Sequence, residues 1–77
     1  MQADEQIETV FVRLLDEGTD VVRPTSAIPI GDGSFQLLPT SDYDPETETW
    51  EFLPGSKVQL ERTVRSGAPI LLAVAKR

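Results

Sequence analysis

An all-β fold, a small five-stranded barrel or roll, is predicted by three features of this chain. Short runs of β-branched, aliphatic and aromatic residues recur at 10–15, 21–30, 34–38, 57–64 and 69–75. Clusters of Gly, Pro, Asp and Ser punctuate them, and no helical period runs longer than one turn. The third feature is size: 77 residues make one domain, over 7–77, because a second would have too little chain to bury a core. Residues 1–6 carry no apolar periodicity and are expected to be disordered. With no Cys, neither a disulfide nor a thiolate-bound metal can supplement the core, so sheet closure or self-association must help.

In the first run Val10, Val12 and Leu14 fall on one side of a strand, with Thr9, Phe11, Arg13 and Leu15 on the other. The first set is assigned to the core, since the Arg13 guanidinium needs solvent. Residues 16–20, Asp-Glu-Gly-Thr-Asp, turn the chain into a hairpin, with Gly18 expected at positive φ and Asp16 bonding the backbone two residues on. Pro24 has no N–H to give a neighbouring strand, so the second strand must have an edge or bulge there. Pro29 repeats the constraint before Asp32-Gly33 turns the chain again, and Pro39 ends the short third strand.

Residues 40–49 (TSDYDPETET) form an acidic loop, read as a mobile binding loop or as slack, with a helical turn allowed over 47–52. Leu53-Pro54-Gly55-Ser56 has the form of a type II turn. Val58, Leu60 and Val64 are the expected inward face of the fourth strand, interrupted by Arg62. After a turn at Ser66-Gly67, residues 69–75 (PILLAVA) are apolar on both faces, which predicts a strand that is central or covered on both sides. Pairing this last strand with the first, as in an SH3-like barrel, would set residues 70–75 beside 10–14 and remove both edges. An OB-type barrel fits less well, because it usually inserts a helix.

Two stretches carry a resemblance. Leu14-Leu15-Asp16-Glu17-Gly18-Thr19-Asp20-Val21-Val22-Arg23-Pro24 and Trp50-Glu51-Phe52-Leu53-Pro54-Gly55-Ser56-Lys57-Val58 resemble a group of small stand-alone uncharacterised bacterial proteins. These share L-L-D-E-G-T-x-V-x-R-P, then W-E-F-x-P-G-x-x-V, then a short apolar strand. The likeness covers most of the chain from Val10 on and carries over no functional residues. Members often have an aromatic where this chain has Val22.

The net charge of −6 conceals an asymmetry. Residues 1–51 hold twelve carboxylates against Arg13 and Arg23, a balance of −10, whereas residues 52–77 hold five cations against Glu61, a balance of +4. Mutual neutralisation of neighbouring strands is one reading, and an acidic face that meets a basic partner is the other. Catalysis is disfavoured, because the chain has no His and no Cys, the commonest general base and soft nucleophile. Asp42, Asp44, Glu46 and Glu48 sit close in sequence, but a solvated loop does not drive their pKa values apart. Asp42-x-Asp44-x-Glu46 echoes the opening of a calcium loop, yet Thr47 and Leu53 stand where Gly and Glu are needed. No metal or cofactor is therefore expected.

Nucleic acid contact is disfavoured by the acidic balance, although Lys57, Arg62, Arg65, Lys76 and Arg77 could form a basic strip with Trp50 or Tyr43 as a stacking platform. Trp50 and Phe52 point the same way, either plugging one end of the barrel or lining an exposed aromatic groove with Tyr43. Arg23 is expected to pair with Asp16, Glu17 or Asp20 across the hairpin, or to contact a partner. The leading expectation is a non-enzymatic, acidic protein-interaction module. Its partner-binding candidates are Asp16, Glu17, Asp20, Arg23, Asp42, Tyr43, Asp44, Glu46, Glu48 and Trp50. The alternative is a small inhibitor that mimics nucleic acid, of the phage or immunity type. A protein partner of unknown identity is expected, with a homodimer also open. The polar opening of the chain predicts no secretory signal, its longest apolar run is too short for a membrane helix, and a cytoplasmic location follows.

Overall fold

The computed structural model describes residues 7–17 and 21–75. It contains six strands and no helix among those residues: β1 (Glu8–Leu15), β2 (Val21–Pro29), β3 (Phe35–Leu37), β4 (Thr49–Trp50), β5 (Lys57–Arg65) and β6 (Ala68–Val74). The sheet runs β2-β3-β5-β6-β1-β4, and a further pairing closes β2 onto β1. Five strands therefore make a closed ring, with β4 attached to the end of β1. The expected all-β barrel-like roll is present, and the last strand does lie against the first, in parallel, at Phe11 and Leu72.

β1 folds as its alternation requires. Val10 and Val12 are fully buried, Leu14 packs on the same core, and Leu15 is exposed. With Ala27, Leu37, Trp50, Val58 and Ala73 they make one cluster, on which Phe35, Tyr43, Phe52, Leu60 and Leu71 rest. Pro24 lies opposite Phe11 in the β1–β2 ladder. β3 pairs only with Ala27, Ile28 and Pro29, so β2 has an open edge at Pro24, where a missing N–H costs nothing. The expected type II turn is present: Ser56 N donates to Leu53 O at 3.0 Å, and Gly55 has φ +92, which a Cβ would strain.

Three expectations are corrected. No helical turn covers 47–52. Instead Thr47 N and Glu48 N donate to Asp44 O, and the chain then extends as β4 along the edge of β1 that β6 has left. Val64 does not face the core but is 66% exposed, and of residues 69–75 only Leu72 and Ala73 are buried. Both follow from length. β3 holds β5 only at Lys57 and Val58, and β6 meets β1 at Leu72, opposite Glu61, so beyond that point β5 and β6 run on as a two-stranded arm. The molecule is accordingly elongated, 43 × 29 × 23 Å. The expected positive φ at Gly18 and the disorder of residues 1–6 lie outside the described residues.

Candidate functional site

The acidic segments that sequence separates are brought to one end of the barrel. Asp16, at φ +62, and Glu17 follow directly from the end of β1. β4 runs antiparallel to that same end, with Leu15 opposite Thr49 and Leu14 opposite Trp50, so the loop 40–48 arrives beside the hairpin turn. Asp16, Glu17, Asp44 and Glu46 are exposed there. Asp20 lies outside the described residues.

The loop is not slack. Register explains why: Arg23 lies opposite the buried Val12, so it belongs to the inward row of β2 with Thr25 and Ala27, at the mouth of the barrel. An inward cation needs counter-charge, and the loop supplies it. Arg23 Nε donates to Glu48 Oε1 at 3.0 Å, and its Nη2 reaches Asp42 Oδ1 at 3.1 Å. The expected pairing of Arg23 with Asp16 or Glu17 across the hairpin is therefore corrected, because the Arg23 side chain points across the barrel mouth toward the loop. Glu48 Oε1 also accepts the Trp50 indole N–H at 2.6 Å. Arg23, Glu48 and Trp50 thus form one network that latches the loop over the open end.

Further bonds shape the loop itself. Tyr43 N donates to Thr40 O, and Glu46 N to Asp44 Oδ1 at 3.0 Å, an Asx turn. At its start Leu38 N donates to Ser26 O and Thr25 Oγ1 to Leu38 O, which ties the chain to β2. The adjoining Thr40 hydroxyl and the charge of Arg23 hold the Asp42 carboxyl below its usual range. Because Thr40 Oγ1 is buried with no partner in hydrogen-bond geometry, the ion pair is the contact with defined geometry.

The aromatic candidates go inward. Trp50 is 2% exposed, and Tyr43 packs on it edge to face with ring centroids 5.0 Å apart. Trp50 plugs the barrel end, and an exposed groove built on its ring is ruled out by its burial. Its direction follows from pairing with Leu14, which already faces the core. In the sequence, the inward parity of residues 21, 23, 25 and 27 is the signal that points to the latch.

What the site can do is present negative charge. Asp42 and Glu48 are engaged by Arg23, and Glu51 stands 3.9 Å from Arg13, which leaves Asp16, Glu17, Asp44 and Glu46 facing outward. Among the described residues no group of three or more His, Cys, Asp or Glu is placed to hold a metal ion, and no helix is long and apolar enough to cross a membrane. The fold and site together define a small closed β barrel with an acidic, latched end. Comparison with protein-family models, curated proteins and solved structures gives no match.

Proposed function

We propose that this chain is a non-enzymatic interaction module, acting in the cytoplasm, whose acidic end docks a protein bearing a basic surface. One observation carries the reading: the β1–β4 pairing brings two acidic segments that are distant in sequence to one end of the barrel. Charge held on a rigid frame steers association and selects partners of opposite sign without ordering a loop at each encounter.

The experiment is affinity capture with the tagged full chain, followed by titration of the purified partner against increasing salt. The combined variant Asp16→Asn/Glu17→Gln/Asp44→Asn/Glu46→Gln removes the outward charge, keeps an acceptor for the Asx turn at residue 44 and spares the Arg23 latch. Binding that weakens with salt and is lost in this variant supports the reading. Salt-dependent RNA binding with no protein recovered overturns it. Competition between this chain and DNA or RNA for the captured protein would instead identify a nucleic-acid mimic, the second use of an outward row of carboxylates.

A further inference from the structure

The connection between β2 and β3 holds chemistry that the acidic end does not use. Asp32-Gly33 is the one Asp-Gly pair in a chain that has no Asn. Gly33 carries no side chain to keep its amide nitrogen from the Asp32 carboxyl carbon. Both residues are exposed, and a Cβ built on Gly33 would meet nothing within 4 Å.

A bond from Gly33 N to Asp32 Cγ expels the carboxyl hydroxyl and the amide proton together as one water, leaving a succinimide ring. Water then adds back at either ring carbonyl. Addition at the former Asp32 main-chain carbonyl gives isoaspartate, in which the chain runs through the side-chain carboxyl and is one methylene longer. Loss of the hydroxyl requires the neutral carboxyl, and the fold opposes that form. Lys57 Nζ stands 2.7 Å from Asp32 Oδ2, and Ser34 N donates to Asp32 Oδ1 at 3.0 Å. The Lys57 bond first, and the Ser34 bonds after it, hold the Asp32 carboxyl far below the usual carboxylate range. The ion pair cannot survive cyclisation, because the succinimide carries no charge.

We propose that Asp32-Gly33 is a site of spontaneous isomerisation, held in check in the folded chain by the Lys57 ion pair. The consequence falls on the ring. β3 is three residues long and, among the described residues, is the strand that links β2 to β5. Ser34, directly before it, is buried; its carbonyl accepts from Ile30 N at 3.1 Å and its hydroxyl from Gln59 Nε2 at 3.4 Å. A methylene inserted between residues 32 and 33 shifts Ser34 away from these donors and loosens β3. This inference does not depend on the acidic end or its partner.

Ageing of the full chain in mildly acidic buffer tests it. Isoaspartate at residue 32 is quantified by reversed-phase peptide mapping, which separates aspartyl and isoaspartyl peptides of equal mass, and far-ultraviolet circular dichroism confirms the fold of each variant. Lys57→Met returns the carboxyl toward its ordinary titration and multiplies its neutral fraction, so isoaspartate should form about tenfold faster than in the wild type, or more. Lys57→Arg keeps the cation and should stay close to the wild type. In concentrated urea, where the ion pair is gone, all three should isomerise at one rate. The isomerised Lys57→Met chain, separated from its unmodified form, should unfold at a lower urea midpoint.

Folded Lys57→Met that isomerises no faster than the wild type overturns the proposal. So does Lys57→Arg that isomerises as fast as Lys57→Met, since the charge would then give no protection. The wild type alone supplies a second reading that needs no variant. It should isomerise about tenfold more slowly folded than in urea, or slower still, and equal rates refute the protection.

Discussion

Removing the Glu48 carboxylate should cost this protein a large part of its stability. One oxygen of that group accepts both the Trp50 indole N–H, at 2.6 Å, and Arg23 Nε, at 3.0 Å. Glu48→Ala leaves a buried indole N–H without its acceptor, worth about 1–3 kcal/mol, and strips Arg23 of one of its two counter-ions. Together these give a loss of about 2–4 kcal/mol. A chain of this length has about 4–12 kcal/mol in all, at the usual stability per residue, so the variant should lose a large share of it. Glu48→Gln keeps a carbonyl oxygen for both donors and gives up only the charge, for about 1 kcal/mol. Urea unfolding followed by fluorescence of the single Trp reads both variants, because Trp50 is the residue the latch protects. A Glu48→Ala midpoint within error of the wild type would refute the latch, as would a Glu48→Gln variant as damaged as Glu48→Ala.

Other outcomes follow from the same geometry. Ser66 and Gly67 both have positive φ, at 52 and 80, the pattern of a type I′ hairpin turn; Ser66→Asn or Ser66→Gly should therefore raise stability by about 0.5–1 kcal/mol, seen as a higher Tm. Gly55→Ala should lower it by about 1–2 kcal/mol, since φ +92 at the type II turn excludes an ordinary side chain. The Lys57 ammonium, 2.7 Å from Asp32, and the bonds from Ser34 lower the Asp32 carboxyl, as Thr40 and Arg23 lower that of Asp42. Carboxyls depressed in the folded state contribute stability that is complete above the ordinary value of 3.8 and is lost as pH falls through the folded values. Urea midpoints should thus decline as pH drops below about 4, and Asp32→Asn, which keeps the turn but not the ion pair, should make that decline shallower.

The parts of this fold that depend on neighbours in sequence were legible beforehand. The alternation of Val10, Val12 and Leu14 named the core face of β1, Pro24 announced an open edge, and residues 53–56 announced their turn. What depends on three-dimensional register was not legible. Nothing near Thr49 says that it will lie against Leu15, and without that pairing neither β4 nor the direction of the Trp50 ring follows. Proximity in sequence matches Arg23 to the hairpin acids, whereas its inward parity on β2 sends it to Asp42 and Glu48. Alternation alone places Val64 inward, because it persists past the point where the ring stops, a length that only the β3–β5 pairing sets. Of the site, the acids were identified from composition, and their gathering on one end was not.

The seam between Phe11 and Leu72 has a kinetic consequence. The β1–β2 and β5–β6 ladders join segments close in the chain and can zip early, but this bridge unites its two extremes and carries the largest loop-closure entropy in the molecule. Ring closure is therefore the late event in folding, and amide hydrogens along the seam should exchange with solvent sooner than those of the β1–β2 ladder.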